Sequence, residues 1–261
     1  IGEIELSKLT AKDVEKWRKS IAAKPALVSR RKTDEPATRP RGKGTLNRDM
    51  TPLRAALNYA KKKKHVISDT AWSEELKPAK NADGSRSLYL DRTERKALLE
   101  AAAPDIRKFL HGMALLPLRP GALANLKVGF LDPRTSTLFV EKDKKGADRK
   151  IALPPHTVNF LADLAKGRQA TEPLFTRADG AQWNKDNWYD PVKDAVKAAG
   201  LPRGASAYTL RHSVITDLVS ESLVDLLTIA KLSGTSVIMI EKHYGHVRNK
   251  MATAALATLE L

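Results

Sequence analysis

The chain has 261 residues, 46 of them Lys or Arg against 30 Asp or Glu, a formal net charge of +16. An excess of that size is the electrostatic footprint of a protein that neutralises a row of phosphates. No apolar run approaches the roughly 18 residues of a spanning helix, and no hydrophobic anchor adjoins a basic helix, which excludes a membrane partner. Zero cysteines exclude disulfides, thiolate nucleophiles and cysteine-based zinc sites, and fit a reducing cytoplasm.

In chain order, Leu9 to Ala22 reads as an amphipathic helix, with Thr10 and Asp13 as a capping box and Val14, Trp17 and Ile21 at helical spacing. The pattern stops between Lys24 and Lys43. That stretch is a solvated linker or a basic loop that orders on a phosphate backbone, with Arg30, Arg31, Lys32, Arg41 and Lys43 as candidate DNA contacts. A second helix follows through Leu46, Met50, Leu53, Leu57 and Ala60 and ends in Lys61 to Lys64, a charge suited to a helix C-terminus. Lys77 to Ser85 has a linker's composition, so the expected division is a helical domain at 1–80 and a larger domain at 86–261.

Beyond it, helices are expected at Tyr89 to Ala102, introduced by Asp91, and at Ile106 to Leu116. Thr137 to Val140 and Lys150 to Leu153 are β-prone runs joined by a polar turn, hence a hairpin. Further helices are expected at His156 to Lys166, Asn184 to Ala199, Leu210 to Ser220, Val224 to Leu232 and Val237 to Tyr244, with an alanine-rich tail from Lys250 to Leu259. The expected class is mainly α with a small β-hairpin or sheet, α+β. The four tryptophans are scattered rather than interleaved with basic clusters, which places them in cores.

The chemistry concentrates near the end. Tyr208-Thr-Leu-Arg-His212 sets Tyr208 and Arg211 three apart, on one face of a helix. Arg119 precedes Pro120, a residue favoured at the first helical position, so free N–H groups are aimed at any bound anion. Glu241-Lys-His-Tyr-Gly-His246 places Tyr244 in a polar helical setting. The pair His243 and His246 lacks the carboxylate or cysteine support that a metal site needs.

In this arrangement the chain resembles the tyrosine recombinases, or phage integrases, over nearly its whole length, and most closely the integrases of proteobacterial prophages and genomic islands. The family's first arginine maps onto Leu118-Arg119. Its hairpin lysine maps onto Lys144-Lys-Gly146 with Arg149 following, in competition with Lys142 and Lys145. Its His-x-x-Arg-His box maps onto Tyr208 to His212, its Leu-Gly-His box onto Leu232-Ser-Gly-Thr235, and its nucleophile box onto Glu241 to His246.

The resemblance implies an N-terminal core-binding domain and a C-terminal catalytic domain. It also implies a metal-independent enzyme, without cofactor, that breaks and rejoins double-stranded DNA as a homo-tetramer in a bacterial cytoplasm, beside the nucleoid, with room for a DNA-bending accessory protein. Tyr244 is then the nucleophile, Arg119 and Arg211 the phosphate clamp, Lys144 the proton donor to the departing oxygen, and Lys145 a DNA contact. Tyr208 and Thr235 stand where relatives carry histidine, or histidine or tryptophan. A phenol with an ordinary pKa of about 10 is a poor base near neutrality. The general base is therefore open, with His212 and His243 as substitutes. The start at Ile1, without initiator methionine, reads as that of an internal fragment, consistent with removal of the arm-binding domain that many relatives carry ahead of the core-binding one. Rival readings are a type IB topoisomerase-like relaxing enzyme and a silent DNA-binding protein.

Overall fold

The structure, a computed structural model, describes residues 2–28, 37–82, 88–142, 147–221 and 224–245, with 257 and 259. The chain divides into two compact units, Ile1–Ser85 and Arg86–Leu261. It is mainly helical with two small antiparallel sheets, an α+β protein.

In the first unit, Thr10 and Asp13 exchange the reciprocal bonds of a capping box at the start of α1, Ala11–Ala23. The next stretch contains a ribbon that sequence pattern does not reveal: β1, Ala26–Leu27, pairs antiparallel with β2, Thr38–Arg39. Its tip lies outside the described residues. The returning chain is fastened by Arg41, whose guanidinium donates to the Lys24 carbonyl at 2.9 Å and to the Asp49 carboxylate. Asp49 belongs to α2, Lys43–Lys62. Val14 on α1 and Met50 and Leu57 on α2 bury against Trp72 and Leu76. The buried Trp72 indole N–H donates to Asn58 at 2.9 Å, so the largest side chain in this core leaves no orphaned donor. Lys61 and Lys62 end α2 where the helix dipole favours cations, and Lys61 also pairs with Asp69 at 2.7 Å.

The second unit opens with α3, Arg92–Ala101, entered through a capping box between Asp91 and Glu94. Then come α4, Pro104–Leu115, and the short α5, Pro120–Ala124. A three-stranded sheet follows in the order β3 (Leu131–Asp132), β4 (Thr137–Val140), β5 (Arg149–Ala152), so the expected hairpin gains a third strand. Val140 sits opposite Arg149. After α6, Pro155–Ala165, the helix expected from Asn184 begins only at Tyr189 and forms α7, Tyr189–Ala198. The delay has a local cause: the Asn184 side chain accepts from the N–H groups of Asp186 and Asn187, and Asn187 accepts from that of Asn184. Asparagine's short amide competes with the helix for those donors.

The unit ends in α8, Ala207–Glu221, α9, Leu226–Ser233, and a helical segment over 237–245. The alanine-rich tail falls almost wholly outside the described residues. The core gathers Phe109, Phe175 and Trp183, with Phe109 stacked on Trp188 at 5.4 Å. Gly112 on α4 is required for it, because a Cβ there would lie 2.6 Å from the buried Phe175 ring.

α8 is fastened along one stripe. Ser213 Oγ accepts from Leu90 N–H at 2.9 Å, Asp217 accepts from Tyr89 at 2.7 Å and pairs with Arg95 at 2.5 Å, and Glu221 pairs with Arg92. Residues four apart share a helix face, so three consecutive turns are held by the chain around the start of α3. Burial, then the bond to Asp217, pushes the Tyr89 phenol up to about 12. A folded value above the ordinary one near 10 favours the fold fully below pH 10, and the benefit is lost as pH rises towards 12. Urea unfolding of the wild type should therefore lose stability between pH 10 and 12 more steeply than that of Tyr89→Phe. Parallel curves would show that the bond contributes nothing.

Candidate active site

The site is built where α5, β5, α8 and the loop after α9 meet. Arg119 is the N-cap of α5, with Pro120 as its first residue. Leu118 and Leu123, both fully buried, fix the backbone on either side. From there the Arg119 guanidinium donates to the Gly234 carbonyl at 2.8 Å. Arg211, on the second turn of α8 and only 9% exposed, donates to the carbonyl of Pro117. Two arginines far apart in sequence thus meet at the three-residue stretch Pro117 to Arg119.

Arg149 completes the cluster and was not among the residues that the sequence singled out as catalytic. Its guanidinium nitrogens are shut off from solvent, and the group lies 2.8 Å from where a Cβ on Gly234 would stand. Gly234 caps α9 in the left-handed region at φ 63°. A side chain there is strained by the left-handed backbone and would push the Arg149 guanidinium aside. Gly234→Ala should cost about 1–2 kcal/mol from the left-handed backbone alone, a fall in Tm of roughly 2–8 °C for a unit of this size, and should displace Arg149. Differential scanning calorimetry reads the first and DNA affinity the second. An unchanged Tm would mean that the loop relaxes freely.

The space between these groups is a cleft of about 870 Å³. Arg119, Arg149, Lys150 and Lys231 line it, with Asp148 the sole carboxylate among the lining residues. Such a balance suits an anion. Thr235 and Ser236 form its lip, and Ser236 caps the 237–245 helix by accepting from Met239 N–H at 3.3 Å. Thr235 itself is held through its N–H to the Ala230 carbonyl at 3.0 Å.

Beside Arg211, His212 Nδ1 lies 3.2 Å from the hydroxyl of Tyr244, and the two rings stack at 5.1 Å. Tyr244 is 8% exposed and packs on Ile215, Val219, Ile229 and Ile240. Tyr208 stands on the first turn of α8, exposed, one turn before His212.

Of the sequence-predicted residues, Arg119, Arg211, His212, Tyr244 and Thr235 are therefore placed around one region. Lys144 and Lys145 lie outside the described residues, but the hairpin that carries them is closed by Lys142 N–H donating to Asp148 at 2.6 Å. Arg30, Arg31 and Lys32 likewise lie outside them. Arg41 is engaged with Asp49, whereas Lys43 is exposed at the start of α2 and shares a cleft of about 370 Å³ with Arg39 and Arg48. Among the described residues no group of three His, Asp or Glu could hold a metal ion, and no helix is long and apolar enough to cross a membrane.

Comparison with known proteins agrees with this architecture. Residues 89–251, well over half the chain, match the phage integrase family. The tyrosine recombinase XerD of Mycobacterium leprae is 28% identical over 180 residues, 61% of this chain and 56% of that protein. The tyrosine recombinase slr0733 of Synechocystis is 24% identical over 234 residues, 82% of this chain and 73% of its own length. The chain thus spans about half the length of the mycobacterial relative. Among solved structures, the Tn1549 transposon integrase in complex with circular intermediate DNA shares the fold with a TM-score of 0.72 at 16% identity, over 98% of this chain and 87% of that one. A lambda integrase dimer bound to a core site does so with a TM-score of 0.64 at 15% identity, over 92% of this chain and 65% of the other. This chain belongs to the phage integrase family.

Proposed function

We propose that this protein is a site-specific DNA recombinase that integrates or excises a mobile element through a 3'-phosphotyrosine intermediate. The observation that carries the reading is the set of three arginines around Pro117 to Arg119 and Gly234: Arg119 and Arg149 line the cleft, and Arg211 donates to the Pro117 carbonyl beside it, next in sequence to His212, which meets the Tyr244 hydroxyl. In this reaction the Tyr244 oxygen forms a bond to the scissile phosphorus as the bond to the 5'-oxygen breaks. The bond energy stays in the phosphotyrosine, and another 5'-hydroxyl later reseals the strand. Arg119 and Arg211 hold the nonbridging oxygens and offset the charge that builds up in the transition state. Lys144 delivers a proton to the departing oxygen, a task suited to a mobile ammonium. Thr235 and Tyr208 donate hydrogen bonds to the phosphate.

The first unit serves as the core-binding domain, with Lys43 and the loop carrying Arg30, Arg31 and Lys32 on the DNA backbone. The assembly is a tetramer on duplex DNA, and an accessory protein bends the site. The Tn1549 integrase in complex with circular intermediate DNA and the lambda integrase dimer bound to a core site support this choice of partner.

The test is a nicked suicide duplex made from the junctions of the genomic segment adjoining the gene. A denaturant-resistant protein–DNA adduct is expected, with no relaxation of plain supercoiled plasmid. Relaxation without sequence choice would favour a topoisomerase, and binding without an adduct a silent regulator. Affinity for the same duplex should also fall about 10³–10⁵-fold between 50 and 200 mM salt, if six to ten phosphates are contacted. A flat response in a filter-binding titration would count against a phosphate-tracking clamp.

A further inference from the structure

We infer that His212 is the proton acceptor for the Tyr244 hydroxyl during strand cleavage. The inference rests on the reading of Tyr244 as nucleophile and goes beyond it, because nothing in that reading says where the phenolic proton goes. Sequence reasoning leaves the general base open: Tyr208 occupies the position where a histidine is expected, and a phenol is a weak base near neutrality.

The geometry points to His212. Its Nδ1 is 3.2 Å from the Tyr244 oxygen, inside the reach that a general base needs even before substrate tightens the site. Ring stacking at 5.1 Å and 29° fixes the imidazole against the phenol. The rigid setting extends to both partners. Tyr244 is held among Ile215, Val219, Ile229 and Ile240, and the turn of α8 that carries His212 is held by Ser213 and by Thr216, whose hydroxyl donates to the His212 carbonyl at 2.9 Å. The alternative histidine, His243, is adjacent to Tyr244 on the same helix, where successive side chains diverge by about 100° rather than face each other.

The step balances. With its proton on Nε2, neutral His212 presents the Nδ1 lone pair to the phenol. As the Tyr244 oxygen bonds to phosphorus, its proton passes to Nδ1 and the ring becomes imidazolium, while the departing 5'-oxygen takes its proton from Lys144. In resealing, a 5'-hydroxyl bonds to phosphorus and gives its proton to the neutral Lys144 amine, while the imidazolium returns its proton to the tyrosine oxygen as the phosphotyrosine bond breaks. The titratable and charged groups on the elements around His212 are Tyr208, Arg211, Asp217 and Glu221 on α8, Asp105, Arg107, Lys108 and His111 on α4, Arg119 at α5, Asp225 and Lys231 at α9, and Glu241, Lys242, His243 and Tyr244 on the 237–245 helix. Of these, the phenol of Tyr244 is hydrogen-bonded to the ring.

The experiment is single-turnover adduct formation on the nicked junction duplex, for the full chain and for His212→Asn, from pH 5.5 to 9.5. Asparagine keeps a polar atom near Nδ1 but cannot take up the proton. The variant should bind the duplex as tightly as wild type and cleave it about 10²–10⁴-fold more slowly at pH 7. Its deficit should shrink towards pH 9.5, as the phenol ionises unaided. The deficit should persist on a duplex whose scissile 5'-oxygen is replaced by sulfur. That leaving group needs no proton, so the same substitution should rescue Lys144→Ala.

A rate within threefold of wild type, or a deficit rescued by the sulfur substrate, would overturn the assignment. If His212→Asn folds poorly, the wild-type profile decides: a rate that does not fall between pH 8 and 5.5 rules His212 out. Failure of wild type to form any adduct on a duplex that it binds would instead remove Tyr244 as nucleophile, and the inference with it.

Discussion

The Tyr244→Phe variant should bind the junction duplex with wild-type affinity and yield no covalent adduct under any condition that traps the wild type. The change deletes one oxygen. The ring keeps its packing on Ile215, Val219, Ile229 and Ile240, so the apolar contribution to folding is retained. The bond to His212 at 3.2 Å is lost in the resting protein, a net contribution of about 1 kcal/mol. The chemical loss is of another order, since phenylalanine has no nucleophile and the covalent route closes altogether. The contrast between a small change in stability and a total loss of adduct makes the experiment decisive. Residual adduct in Tyr244→Phe would mean that another hydroxyl attacks and that the nucleophile is misassigned.

Arg211 is the second position where a large effect is expected. Arg211→Lys should slow adduct formation by at least about 10²-fold, and Arg211→Ala by about 10³-fold or more, in line with the loss of one or more charged donors from a preorganised oxyanion site. Lysine retains the charge but not the planar fork that holds two oxygens at once, so charge alone should rescue little. The alanine variant also strands the Pro117 carbonyl, to which the 9%-exposed arginine donates, at about 1–3 kcal/mol of stability.

Separation of the two effects requires the lysine variant's melting curve beside its single-turnover rate. A rate that tracks the loss of folded protein would reduce Arg211 to a structural residue. Because Arg119 contacts Gly234 and Arg211 contacts Pro117 within one small region, the double substitution should cost less than the sum of the single ones.

Features written in short-range pattern were legible before the structure. The capping box at Thr10 and the helix start at Asp91 occur where side-chain oxygens precede an apolar stripe, and the proline after Arg119 places that arginine at a helix start. The β4–β5 pair was readable from two β-prone runs and a polar turn. Two-residue strands such as β1, β2 and β3 carry no period and were not.

The start of α7 lies later than expected because the Asn184 and Asn187 side chains accept from the N–H groups of this stretch and compete with helix formation before Tyr189. Arg149 marked the hairpin's register in the sequence, yet its place in the cleft depends on its pairing with Val140 and on the bare Cα of Gly234. The approach of His212 to Tyr244 depends on how α8 packs against the 237–245 helix, which no spacing encodes.

The stripe of Ser213, Asp217 and Glu221 carries a consequence for where the second unit can begin. α8 brings Arg211 to the Pro117 carbonyl and His212 to Tyr244, while three of its turns are bolted to Tyr89, Leu90, Arg92 and Arg95. A fragment that starts past Arg95 would keep every candidate catalytic residue and still lose the parts that stop this helix from rolling about its own axis. Such a roll of one residue step, about 100°, would carry Arg211 away from Pro117. The aim of Arg211 is thus set by residues on another element, and the stretch from Tyr89 to Arg95 fixes the orientation of α8.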